Sequence, residues 1–327
     1  MVLERVPQNM AWLAFRTDEI YANAGATPMM VTNHQKTGGQ IMKLLHRWKW
    51  SVVLASGAAL FSVSRLKGAD DSATAIVTKT NSAMTSVFHS GTTAKHEKIN
   101  ERAKQGDVDL LFLGDSITEG WASKGKSVWE KYYGNRKAMN AGVGGDRTQH
   151  VLWRLDNGNI DGIHPKLAVI MIGTNNSNNN DNTAEEIADG IKAIVKEVRE
   201  KLPETKILLL AIFPRGATTD EQLTKIVTRN GQKEIDASEL PVKIAAAREA
   251  TMKQRQKNAE ASQLASRMAD DKMIFYMDIG PKFLGPDGAL SKDVMYDDVY
   301  LHPNTHGYEV WAEAIEPKVA ELLGEKK

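Results

Sequence analysis

The sequence predicts an α/β protein built on a parallel sheet covered by helices on both faces. From about residue 96, apolar runs alternate with helical patterns, as repeated strand–helix units require. The runs are VDLLFL (108 to 113), KAMNA (137 to 141), LAVIMI (167 to 172), KILLLAI (206 to 212) and MIFYM (273 to 277), and their dense apolar character suits strands buried on both sides.

Composition permits such a core and narrows the function classes. The 327 residues are 42% hydrophobic with a net charge of +1, which leaves no strongly basic surface for nucleic acid. Cysteine is absent, so a disulfide framework and a thiolate metal site are both excluded. Histidines 34, 46, 89, 96, 150 and 164 have no ligand spacing and read as structural or surface residues.

The first hundred residues differ from the rest. Residues 42 to 64, MKLLHRWKWSVVLASGAALFSVS, have a basic start followed by a short apolar stretch, the layout of an export signal and too short for a membrane span. The alternative is an internal apolar helix without targeting value. Residues 1 to 41 then read as a leader arising from start-site assignment, and residues 65 to 95, rich in Ser, Thr and Ala, as a linker. On this reading the mature protein has no stable membrane span, and it is exported; without the signal it is cytoplasmic.

The first strand runs into FLGDSITEGW (112 to 121), where Gly114-Asp115-Ser116 sets a hydroxyl at a strand end. Small and acidic residues there also make turns and helix caps. Asp115 reads as a brace for that turn. Trp121, Trp129, Tyr132 and Tyr133 read first as core, with an acyl or sugar site as the alternative. The second strand leads to NAGVGGDRTQ (140 to 149), in which Asp146 and Arg147 either lock the loop or cap the next helix. Its glycines do not complete GxGxxG, which excludes a nicotinamide cofactor, and the GxSxG elbow is also absent. The third strand ends at GTNN (173 to 176). Thr183 with Glu186 forms a capping box for a helix to about Lys201, with Ile187, Ile191, Ile194 and Val198 on its inner face. After Pro214-Arg215-Gly216, residues 217 to 253 read as an inserted, partly helical excursion broken near Asn230-Gly231 and Pro241. It is either a lid or, as its lack of aromatics favours, a solvated decoration. The last signal is DDVYLHPNTHGY (297 to 308).

Together these segments ask for a serine-type hydrolase acting on a small acyl ester. Ser116 attacks the carbonyl, and His302 serves as general base and then acid. A carboxylate just before it, most simply Asp298 with Asp297 as the alternative, orients the imidazole. The oxyanion donors are the backbone N–H of Ser116, the backbone N–H of Gly145 and the amide of Asn175. His306 reads as the start of the final helix. Ser116, Gly145 and Asn175 all fall at carboxyl ends of strands, where open α/β sheets bind ligands.

The four residues Ser116, Gly145, Asn175 and His302 resemble, in order and context, the motif segments of the SGNH hydrolase (GDSL esterase) family. GGDRTQHVLWRL (144 to 155), GTNN, NTAEEIADGI (182 to 191), FPRG (213 to 216) and LHPNTHGYEVW (301 to 311) are similar to its platelet-activating-factor acetylhydrolase branch, over roughly residues 96 to 325. The resemblance implies a flavodoxin-like three-layer sandwich, no metal or other cofactor, hydrolysis of short acyl esters such as acetate, and a homodimer. It also implies an aspartate three residues before the histidine, where this chain has Val299; a one-residue bulge would bring Asp298 to the ring.

Overall fold

The computed structural model describes residues 80–229, 236–297 and 299–325. Its centre is a five-stranded, wholly parallel sheet of order β2-β1-β3-β4-β5, formed by β1 (Leu110–Gly114), β2 (Ala138–Gly142), β3 (Leu167–Met171), β4 (Lys206–Leu210) and β5 (Ile274–Met277). Every expected strand forms, its ends within two residues of the reading. Register is regular: Leu110 faces both Ala138 and Leu167, and Leu167 faces Lys206.

Because successive side chains leave a strand on opposite faces, each apolar run feeds two cores. Leu111 and Leu113 of β1, Ala168 and Ile170 of β3, and Ile207 and Leu209 of β4 enter one; Leu110 and Phe112, Val169 and Met171, and Leu208 and Leu210 enter the other. The first face is covered by α1 (Thr93–Lys104), α4 (Thr148–Asp156), α5 (Ala184–Lys201) and α7 (Leu240–Ser266). On the second lie α2 (Ser116–Glu119), α3 (Lys126–Tyr133), α6 (Asp220–Val227) and α8 (Thr305–Leu323). The result is the three-layer α/β sandwich, with the 2-1-3-4-5 order of flavodoxin-like sheets.

Local signals explain the helices. The Thr183 hydroxyl accepts the Glu186 N–H at 3.2 Å and the Glu186 carboxylate accepts the Thr183 N–H at 3.1 Å, so α5 begins where its capping box lies. Asn304 starts α8 in the same manner, accepting the Gly307 N–H at 2.9 Å. Trp121 and Tyr133 are buried among Phe112, Tyr308 and Trp311, so these aromatics are core; Trp129 and Tyr132 pack against the same cluster.

One boundary differs from the sequence reading. The segment read as linker up to residue 95 packs onto the sheet domain from Asn81: Ala83 is fully buried, its carbonyl accepts the Thr148 hydroxyl at 2.7 Å, and Val87 N–H donates to the Gln149 carbonyl. Those contacts run through backbone and short polar groups, which leave no hydrophobic period in the sequence. The excursion at 217 to 253 is partly helical as expected, holding α6 and the start of the 27-residue α7, and Pro241 marks a helix start, in the first turn of α7, where its missing N–H breaks no bond. Its first helix, α6, buries Leu223 in the second core, and its Val227 is buried as well. Asn230-Gly231, the leader at 1 to 41 and the export segment at 42 to 64 lie outside the described residues.

Candidate active site

The site lies along the carboxyl rim of β1, β2 and β3. At the end of β1 the chain reverses into α2 so tightly that a Cβ on Gly114 would stand 2.2 Å from the Thr118 hydroxyl and 2.4 Å from the Met171 carbonyl. Only glycine fits there. Asp115 caps the turn by accepting the Ile117 N–H at 3.0 Å, and Ser116 is then the first residue of α2. Burial pushes the Asp115 carboxyl up to about 7, against the opposing pull of the Ile117 hydrogen bond and of His302.

Ser116 and His302, 186 positions apart, meet: Oγ lies 2.9 Å from Nε2. The other ring nitrogen, Nδ1, lies 2.5 Å from Oδ2 of Asp297. Among the described residues the carboxylate on the imidazole is that of Asp297, the alternative in the sequence reading, whereas Asp298, the simpler expectation, lies outside the described residues. Asp297 also accepts the N–H groups of Leu301 at 2.8 Å and His302 at 3.1 Å. A carboxylate five residues before the histidine reaches the ring because the loop folds back over it, with Tyr300 at φ 51°. Burial opposes ionisation at Asp297, but the hydrogen bonds from the His302 ring and from Leu301 outweigh it and hold the carboxyl below its ordinary range. His306 is exposed on the first turn of α8 with Asp293 and Glu309, away from the relay.

Gly145 follows β2 at φ +81°, a conformation that favours glycine. Its loop sits against the nucleophile: a Cβ on Gly144 would be 3.7 Å from the Ser116 Cβ. Asn175, beyond β3, donates one of its two amide N–H groups to the Asp146 carbonyl at 2.9 Å. The two loops are joined beneath by the buried Asn176, whose Oδ1 accepts the Thr148 N–H and whose amide donates to Thr148, Gln149 and Asn182. Asp146 is fully buried, with Oδ2 held by Arg154 at 2.7 Å; Arg154 also donates to the Gly114 carbonyl and so ties the Gly145 loop to the Ser116 turn. Asp146 locks the loop rather than capping α4. Asn176 and Arg154 fall inside the strings GTNN and GGDRTQHVLWRL, but nothing in their spacing assigns them a role, since a buried polar network has no period.

His89, Asp146 and His150 bring potential metal-ligating atoms within 4.8 Å of one another. Their arrangement does not suit an ion. The two rings stack at 4.3 Å and 16°, so their in-plane lone pairs run side by side instead of converging. The His150 Nδ1 already accepts the Arg147 N–H at 3.1 Å. A cleft of about 740 Å³ between α7 and the ends of β4 and β5 is lined by residues such as Asn258, Tyr276 and Asp278, and none of Ser116, Gly145, Asn175 and His302 borders it. Among the described residues no helix is long and apolar enough to cross a membrane.

A hydroxyl, an imidazole and a carboxylate in series, beside amide donors on one rim, is an arrangement able to transfer an acyl group to water. The model of the GDSL-like lipase/acylhydrolase family matches residues 112–310. Human platelet-activating factor acetylhydrolase IB subunit alpha1 is 30% identical over 231 residues, 70% of this chain and 83% of that protein. The alpha2 subunit of Rattus norvegicus is 32% identical over 236 residues, 71% of this chain and 85% of the other. A GDSL-like lipase from Bacteroides thetaiotaomicron has 19% identity and a TM-score of 0.48, covering 70% of this chain and 98% of its own. The chain belongs to the GDSL-like lipase/acylhydrolase family and is a carboxylic ester hydrolase.

Proposed function

We propose that this enzyme removes acetyl or similarly short acyl groups from an alcohol, with Ser116 as nucleophile, His302 as general base and acid, and Asp297 as the orienting carboxylate. The observation that carries the reading is the unbroken relay, 2.9 Å from Ser116 to His302 and 2.5 Å from His302 to Asp297. In the first half-reaction Ser116 Oγ bonds to the acyl carbon while its proton passes to Nε2. The Nδ1–H stays on Asp297, which stabilises the imidazolium. The N–H groups of Ser116 and Gly145 and the free N–H of Asn175 hold the carbonyl oxygen as it becomes negative. Collapse expels the alcohol, which takes the proton from His302. Water then repeats the sequence on the acyl-serine and releases the acid.

The acetyl preference draws support from the names of the relatives, which are acetylhydrolase subunits. Those relatives are named as subunits, which supports an assembly of more than one chain; a homodimer is the form proposed here, testable by sedimentation. If the segment at 42 to 64 is an export signal, an O-acetylated saccharide is a more suitable substrate than an intracellular phospholipid, and the N-terminal residue of the mature protein decides the compartment. Hydrolysis of p-nitrophenyl acetate, with Ser116→Ala as control, tests the reaction: the variant is expected to lose at least about 10³-fold in kcat. Turnover that survives the substitution refutes the nucleophile. Across a chain-length series kcat/KM is expected to fall from acetate onward; a rise toward long chains would make the enzyme a lipase or thioesterase instead.

A further inference from the structure

The oxyanion loop is held from outside by a segment that the family pattern at 112–310 does not include. His89, in the stretch leading to α1, lays its ring over Gly145: its Cε1 is 3.0 Å and its Nε2 3.6 Å from where a Cβ on that glycine would stand. His89 Nδ1 is 2.8 Å from Oδ1 of Asp146. Because the carboxylate offers only acceptors, the ring nitrogen must donate there. The Asp146 carbonyl in turn receives the Asn175 amide at 2.9 Å. One imidazole thus touches the residue that carries the first loop donor and fixes the residue on which the second donor rests. The ring is itself held in place, stacked on His150 and followed by Thr92, whose hydroxyl donates to the His89 carbonyl at 2.7 Å. The same segment clamps the neighbouring glycine: Gly144 N–H donates to Glu119 at 2.7 Å, and the other Glu119 oxygen pairs with Lys95 at 2.6 Å.

We infer that His89 is a positioning residue of the oxyanion hole, acting through Asp146 and Gly145 on the two loop donors without touching substrate. The inference rests on the assignment of Ser116, Gly145 and Asn175 proposed above. Donors fixed before the reaction stabilise the transition state more than the bound ester, so their loosening falls on kcat.

The test compares His89→Ala and His89→Asn in the full chain, with active sites counted by stoichiometric phosphorylation using diethyl p-nitrophenyl phosphate, so that any unfolded fraction drops out of the rates. With p-nitrophenyl acetate, His89→Ala is expected to lower kcat about tenfold and to leave KM within about twofold. Phosphorylation, whose phosphoryl oxygen occupies the same hole, is expected to slow in parallel. His89→Asn, which can donate an amide N–H to Asp146, is expected to recover most of both rates. A His89→Ala kcat within twofold of wild type, a loss carried by KM, or an Asn variant no better than Ala overturns the inference. Activity that persists in Ser116→Ala, run alongside, signals instead that the underlying site assignment has failed.

Discussion

Replacing Asp297 by asparagine probes the point at which sequence spacing and structure part. Asp297 accepts three hydrogen bonds: Oδ1 from the Leu301 N–H, Oδ2 from the His302 N–H and from the His302 ring. An asparagine can keep the oxygen on one side only. If its NH2 faces Leu301, a backbone donor is left against another donor; if it faces His302, the ring must turn to the tautomer that carries its proton on Nε2, where it can no longer take the proton of Ser116. Either conflict is worth about 1 to 3 kcal/mol, and the loss of a negative charge beside a developing imidazolium adds to it. About 3 to 5 kcal/mol in total corresponds to a fall in kcat of about 10² to 10⁴. Initial rates of p-nitrophenyl acetate hydrolysis by Asp297→Asn and Asp298→Asn, each checked for folding by circular dichroism, decide the matter. The first is expected to show that loss and the second to stay within about threefold of wild type. The reverse pattern, or equal small effects, would refute the assignment of Asp297.

Two further outcomes follow from the buried charges. Asp115 is raised from an ordinary 3.8 to about 7 by burial, so it binds its proton more tightly folded than unfolded; this contribution to stability is complete below about pH 4 and is lost as pH rises through about 7. About three pH units at about 1.36 kcal/mol each set an upper bound on the order of 4 kcal/mol. Asp115→Asn retains an oxygen for the Ile117 N–H and removes this titration, so urea unfolding from pH 4 to 8 should show the wild type losing stability relative to the variant; parallel profiles would count against it. Arg154→Met leaves the fully buried Asp146 without its cation and should destabilise the protein by about 3 to 5 kcal/mol in urea, whereas the double change with Asp146→Asn should recover part of that loss. A single-variant change under about 1 kcal/mol would mean that the pair does not hold the loop.

Strands buried on both faces are legible because every residue must be apolar; β3 and β4 stand out as LAVIM and KILLL. The capping box of α5 is equally legible, since Thr183 and Glu186 act within one turn. Ser116 and His302 lie 186 positions apart, and no local rule connects them; only the order of the flanking motifs does so. Asp298 is the simpler partner for His302 by spacing and Asp297 the alternative, and spacing does not decide between them, because the choice depends on how a lengthened loop spends its residues. The answer lies in two backbone N–H groups, those of Leu301 and His302, closing on one carboxylate. The stretch from Asn81 to Lys95 escaped for a different reason. Its attachments are scattered, such as Asn81 to the Glu186 carbonyl, Phe88 against Trp153 and His89 to Asp146, and these leave neither an amphipathic stripe nor a motif.

The site of covalent labelling by diethyl p-nitrophenyl phosphate, read by peptide mass spectrometry, bears most directly on the chemistry proposed for this chain. One diethylphosphoryl group is expected per active chain, on Ser116, with a rate that falls about 10²-fold or more in His302→Ala. Label on another residue, or labelling of Ser116 at an unchanged rate without the imidazole, would contradict the relay from Ser116 through His302 to Asp297.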